Sequence, residues 1–222
     1  MNRAEQLSLE RPIAAEGQLL VEGRVPEMFF REMVAAYGLK QLVEVRSFGD
    51  VSKDNLKTYL EIFTQKAVFK QKVKRLGIIR DAENLPANSA CQSVQAALQG
   101  AQLFAPGEMN ELQGAPVSVG IFILPNCQDA GMLEGLCLGA AAEKEQGKAD
   151  AILPCVEDFF SCLEKIGRKP GNPAKARFAS VALAHDVIDP QLGRAAQMGV
   201  ISWEAKAFEP LKLFLQKIAG QV

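Results

Sequence analysis

Gln18-Leu19-Leu20-Val21-Glu22-Gly23 and Leu76-Gly77-Ile78-Ile79-Arg80-Asp81-Ala82-Glu83 are the stretches whose reading decides the fold. Each holds a short, nearly unbroken apolar run, the pattern of a strand buried on both faces of a sheet. Each run ends in acidic residues, Glu22 ahead of Gly23 in the first, Asp81 and Glu83 in the second. If the two strands lie side by side and parallel, three carboxylates meet at one sheet edge. Close anions repel strongly in a partly desolvated cleft, so such a group must hold a cation or at least one proton.

Working outward from these runs, strand and helix patterns alternate from Gly17 onward. Residues 18–21 form the first strand. Pro26 suits the first turn of a helix that places Phe29, Phe30, Met33, Val34 and Tyr37 on one face and stops at Gly38. Residues 41–48 alternate as a second strand. Ser52 can cap a long helix with Leu56, Tyr59, Leu60, Phe63 and Ala67 on a single stripe. Residues 75–80 are the third strand. A helix over 86–98 and a Gly/Pro-rich loop over 105–116 lead to a fourth strand at 117–124. This β-α-β-α-β-α-β order predicts an α/β fold, a Rossmann-like parallel sheet of about four strands flanked by helices, with right-handed crossovers. Beyond Pro125 the pattern is helical, over 133–142, 153–166, 174–185 and 206–218. The organisation expected is a polar lead-in (1–16), an α/β core (17–140) and a helical extension packed on it (141–222), a single domain overall.

The bulk properties narrow the function classes. The chain has 222 residues, 48% of them hydrophobic and 23% charged, enough for a real core. A net charge of −1 and a pI near 6.0 carry no global signature of a nucleic-acid binder. The lysines Lys53, Lys57, Lys66 and Lys70 lie on the polar face of the helix after Ser52, and Lys72 and Lys74 follow. They read first as a solvated helix face, and second as a weak phosphate-binding stripe made by Lys66, Lys70, Lys72 and Lys74. Five cysteines without Cys-x-x-Cys spacing and one histidine argue against a zinc site or a disulfide framework. They read as small buried hydrophobes in a reducing compartment, and Cys155 and Cys162, seven apart, as packing. Met1 to Glu16 lacks the apolar core of a signal peptide and no stretch reaches membrane-span length, so a cytoplasmic location and no membrane partner are expected.

Open parallel sheets bind ligands outside the carboxyl ends of their strands, which is where Glu22, Asp81 and Glu83 fall. Residues two apart in an extended segment point the same way, so Asp81 and Glu83 share a face in this reading. Hard carboxylate oxygens suit Mg²⁺ or Mn²⁺, which accept phosphate oxygens as further ligands. Read instead as structural groups, Glu22 caps the helix that starts near Pro26, Asp81 caps the helix that follows it, and Glu83 sits in that helix's first turn, favoured by the dipole.

With Leu20-Val21-Glu22-Gly23 after the first strand and Asp81-Ala82-Glu83 after the third, the chain resembles the Toprim fold family. That family spans topoisomerases, primases, repair proteins and the OLD nucleases. More narrowly, Ser47-Phe48-Gly49, Ile79-Arg80-Asp81-Ala82-Glu83, Ile123-Leu124-Pro125 and Gly131-Met132-Leu133-Glu134 make it similar to small stand-alone bacterial Toprim-like proteins of unknown function. The resemblance implies that Glu22 is the general acid/base and that Asp81 and Glu83 are metal ligands, with Glu134 added from the narrower family. Two positions depart from the pattern: Glu83 stands where the family has a second Asp, and Arg24-Val25-Pro26 stands where many relatives are acidic. The resemblance implies a Mg²⁺-dependent phosphotransfer or nuclease-type protein acting on DNA or RNA. The alternative is a non-catalytic binding or scaffold protein whose carboxylates hold a structural cation or cap helices. Glu134, near a helix start, reads by itself as a charge favoured by the helix dipole. His185 and Trp203 read as packing residues.

Overall fold

Strands β1 (Gly17–Glu22), β2 (Val43–Phe48), β3 (Arg75–Asp81) and β5 (Ser118–Leu124) run parallel, and the two-residue β4 (Leu112–Gln113) pairs antiparallel with β5 at the edge. The sheet order is β2-β1-β3-β5-β4. The structure, a computed structural model, describes residues 8–49, 55–143 and 151–222. Its helices are α1 (Arg24–Ala36), α2 (Asn55–Gln65), α3 (Ala67–Lys72), α4 (Ala87–Gly100), α5 (Leu133–Ala142), α6 (Ile152–Lys165), α7 (Pro173–Ala184), α8 (Leu192–Gln197) and α9 (Glu209–Ala219), the last preceded by a 3₁₀ turn at Lys206–Phe208. This is the expected α/β class, a mostly parallel sheet flanked by helices and closed by a C-terminal helix. Among the described residues no helix is long and apolar enough to cross a membrane.

The pleat sorts the strands' side chains between two cores. Leu19, Val21, Ile79, Phe122 and Leu124 pack with Phe29 and Phe30 of α1 and with Phe214 and Ile218 of α9. Leu20, Leu76, Ile78, Val119, Ile121 and Ile123 pack with Leu60 and Phe63 of α2 and with Val94 and Leu98 of α4. The chain leaves β1 towards β2 through α1, then returns past β1 to β3 through α2 and α3. Right-handed crossovers in opposite directions require opposite faces, so α1 and α2 lie on different sides of the sheet. The reversal sets the topological switch point between β1 and β3.

Several expectations are corrected. The lead-in is not loose over residues 8–16: Leu9 and Ile13 are buried in the α2–α4 core. Residues 8–10 form a helical turn, while residues 1–7 lie outside the described residues. The long helix expected after Ser52 is two helices, because Lys66 has extended backbone (φ −63°, ψ 131°) between α2 and α3. Ala67, expected on the buried stripe, is exposed, and Ser52 and Lys53 lie outside the described residues. The second strand starts at Val43, because residues 39–42 form a turn closed by the Leu42 and Val43 amides donating to the Leu39 carbonyl at 2.8 and 3.0 Å. The loop over 105–116 contains β4, and α8 occupies a stretch in which no helix was expected. Cys155 and Cys162 are exposed rather than packed. All five cysteines are free thiols.

α9 lies against the sheet where glycine removes the side chains beneath it. A Cβ on Gly17 would stand 2.5 Å from the Ile218 carbonyl oxygen and 2.8 Å from that of Leu42. Both neighbours are backbone, so neither can swing away. Gly17→Ala is expected to destabilise the protein by about 2–3 kcal/mol through displacement of α9. Denaturant unfolding checks this, and an unchanged midpoint would show that α9 is not held by the close approach.

Candidate functional site

The carboxyl end of β1 is built to turn sharply. Gly23 has φ 91° and ψ 169°, a conformation costly for any residue with a Cβ, and α1 begins at the next residue. The turn leaves Glu22 at the sheet edge with the amino end of α1 beside it. The register that pairs Val21 with Ile79 sets Glu22 alongside Arg80. The Arg80 guanidinium meets the Glu22 carboxylate at 3.1 Å and also donates to the Ser93 hydroxyl on α4 at 3.2 Å. Arg80 stands in the motif itself, but only the register shows that it neutralises Glu22.

Asp81 points to the other side of the sheet. Its Oδ1 accepts the Leu133 amide at 2.9 Å, so it caps α5 from a distant strand instead of capping the helix that follows it in sequence. Burial, then the negative charge of Glu134, push its carboxyl up to about 7, with Glu22 adding a smaller push. The Leu133 amide and the Lys175 ammonium oppose the rise. The Asp81 carboxyl therefore takes up a proton near neutral pH. Cys137, one helical turn beyond Leu133, is raised well above the usual thiol range by burial, then by Glu134 and Asp81.

Glu83 does not share a strand face with Asp81. The chain leaves the extended conformation at Ala82, and Glu83 has a left-handed φ of 55° with its side chain exposed. Its amide donates to the Gly131 carbonyl at 2.7 Å, and the Ala82 amide donates to the Leu124 carbonyl at 3.1 Å. These two bonds join the segment after β3 to the loop that leads into α5 and bring Glu134, in the first turn of α5, to the same edge.

Glu22, Asp81, Glu83 and Glu134 line one open cleft of about 580 Å³. Arg24, Val25 and Pro26 of α1 form one wall; Leu133, Lys175, Phe178 and Ala179 form another; Pro190, Gln191 and Leu192 close the rim. Among the described residues, no group of three or more His, Cys, Asp or Glu side chains is arranged to hold a metal ion. The carboxylates share a cleft without forming a closed cage. Lys175 and Arg24 are cationic lining residues that sequence reasoning missed. Asn172-Pro173 carries the signal for Lys175: an N-cap residue before Pro at the first helical position puts Lys175 in the first turn of α7. The Asn172 side chain accepts the Lys175 amide at 3.0 Å, fixing that turn.

The lysines lie elsewhere. Lys72 ends α3 and Lys74 precedes β3, so they sit at the amino end of the strand whose carboxyl end carries Asp81. Lys70 and Lys74 line a second cleft of about 720 Å³ together with Phe69, Val73 and Phe104. Lys66 is turned onto the lead-in, its Nζ donating to the Leu9 carbonyl, and burial lowers its pKa. The structure brings the four carboxylates together and separates them from this lysine set.

Fold and cleft together define an open, mostly parallel α/β protein with an acidic, partly cation-lined cleft at its topological switch point. Residues 16–220 match the family described as "Protein of unknown function (DUF3226)", and the chain belongs to that family. No curated protein and no solved structure matches it.

Proposed function

We propose that the cleft binds a divalent cation with a phosphate group of a nucleic acid, and that the protein is a Toprim-like phosphotransfer or nuclease-type enzyme. The observation that carries this reading is the meeting of Glu22, Asp81, Glu83 and Glu134 in one cleft at the switch point. Asp81, Glu83 and Glu134 would hold Mg²⁺ or Mn²⁺, for which carboxylate oxygens are suitable donors. The metal supplies charge stabilisation at a phosphodiester. Lys175, Arg24 and the amino ends of α1 and α5 favour the phosphate's negative charge. Glu22, beside Arg80, would accept or return a proton. Because Asp81 holds a proton near neutral pH, cation binding would release it.

Isothermal titration of Mg²⁺ and Mn²⁺ into wild type and an Asp81→Asn/Glu83→Gln double variant tests the cation site. Binding by wild type and at least tenfold weaker binding by the variant are expected. Equal or negligible heats in both would remove the site.

The second reading is a non-catalytic binding or scaffold protein. It is favoured by the Glu22–Arg80 ion pair and by the Asp81 cap on Leu133, which give two of the four carboxylates structural partners. Nicking of single- and double-stranded DNA and RNA with metal present separates the two. Cleavage that disappears in Glu22→Gln supports the enzyme, and no cleavage of any substrate supports the scaffold.

A further inference from the structure

Helix α6 carries an exposed apolar stripe, on which the Phe159 ring meets Phe160 edge to face at 5.3 Å between centroids. Cys155, Phe159, Cys162 and Ile166 follow one another at spacings of four, three and four, the seam spacing of paired helices. All four are exposed, Phe159 to 52% and Ile166, just past the end of the helix, to 68%. The adjacent face of the same helix is accounted for, with Val156 and Phe160 buried against Val181 of α7. The apolar surface of α6 is thus wider than the face packed on α7, and a surface helix with a single packed face has no use for the rest.

We propose that this stripe pairs α6 antiparallel with α6 of a second copy of the chain. The sequence is self-complementary in that arrangement alone. Turned end for end about its midpoint, the stripe sets Cys155 opposite Ile166 of the second copy and Phe159 opposite Cys162 of the second copy. Both layers then recur by symmetry. Each puts a small side chain against a large one, as a filled helix interface requires. In a parallel pair the same residues would stack Phe159 on Phe159 and leave the cysteine layers thin.

The flanking charges agree. Asp158 and Lys165 border the stripe on one side, seven residues apart, and among the described residues neither makes an ion pair within the chain. In the antiparallel pair Asp158 approaches Lys165 of the second copy and Lys165 approaches Asp158 of the second copy. In a parallel pair this flank of one helix faces the other flank of its partner, so Asp158 and Lys165 would not meet across the interface. Two facing helices of this length bury on the order of 1,000 Å², the low end of specific interfaces, so a weak, concentration-dependent dimer is expected.

Sedimentation velocity on the full chain from about 1 to 200 μM reads the equilibrium directly. A reversible monomer–dimer transition is expected, abolished by Phe159→Asp, with an unchanged circular dichroism spectrum checking that loss of the Phe159–Phe160 ring contact leaves the fold intact. Alkylation of Cys155 and Cys162 by iodoacetamide should slow as the dimer forms. Asp158→Lys and Lys165→Asp should each weaken association about tenfold, and the double reversal should restore it. A chain monomeric throughout this range overturns the proposal. So does a dimer insensitive to Phe159→Asp, or a double reversal no tighter than the singles.

Discussion

Arg46→Met is expected to lower the stability of the protein by about 3–5 kcal/mol, which for a chain of this size is a fall of roughly 10 °C in Tm. Arg46 is among the largest fully buried side chains, in the middle of β2. Its guanidinium donates to the carbonyls of Ser8 at 2.7 Å, Arg11 at 3.1 Å and Pro12 at 2.7 Å, to the Gln18 side chain at 2.9 Å and to the Glu44 carboxylate at 2.7 Å. It also lies over the Phe63 ring, 5.2 Å from its centroid. Replacing both members of a buried ion pair by apolar residues can be neutral, but replacing one leaves its partners without donors. Methionine fills much of the same volume and satisfies none of them. The loss saturates once residues 8–16 peel from the sheet, because their carbonyls then regain water. Hydrogen exchange should therefore show those residues opening first, with β1 and β3 still protected. A variant as stable as wild type, with the lead-in still protected, would mean that Leu9 and Ile13 alone hold it.

Glu44 gives the same cluster an acid sensitivity. Burial pushes its carboxyl upward, but the hydrogen bond from Gln18 and the charge of Arg46 bring it below the usual value. A lowered carboxyl contributes stability above its unfolded pKa and loses it as pH falls through the folded one. Arg46→Met is therefore most damaging at neutral pH, and the gap between the two proteins narrows in acid.

What the sequence disclosed, and what it did not, follows from the range over which each signal acts. The apolar runs ending at Glu22 and Asp81 are local, and the sheet puts both residues at the switch point the alternation implied. The helix at Leu133–Ala142 was legible to the residue. The docking of the lead-in was not, because Met1 to Glu16 is mostly polar and Arg46, which holds it by three carbonyls, lies thirty or more residues away in the chain. The pairing of Glu22 with Arg80 depends on strand register, which no periodicity within either strand determines. The turn at Ala82 that moves Glu83 off the face of Asp81 depends on bonds to Leu124 and Gly131. α8, Leu192–Gln197, is too short for an apolar period to rise above its background. It is recognisable only through Gly193, where a Cβ would stand 2.6 Å from that of Met28 on α1.

Asp81→Asn is expected to stabilise the protein at alkaline pH and to leave it nearly unchanged near pH 4. The Asp81 carboxyl is raised from 3.8 to about 7. The folded protein thus binds this proton more tightly than the unfolded chain does. For such a group the stability it contributes is complete below its unfolded pKa and is lost as pH rises through 7. A shift of this size corresponds to on the order of 4 kcal/mol above pH 8. Asparagine keeps an oxygen to accept the Leu133 amide and cannot ionise, so the cap on α5 survives and the pH dependence does not. Urea unfolding at pH 4, 6 and 8 should give wild-type midpoints that fall relative to the variant's as pH rises; parallel profiles would show that Asp81 does not titrate in this range. The same carboxylate links stability to the proposed site. A cation that binds the ionised form competes with the proton, so Mg²⁺ should restore wild-type stability more at pH 8 than at pH 6, and this pH dependence should be absent from Asp81→Asn. In the proposed site, the group whose ionisation destabilises the protein in base is also the group through which a cation would bind.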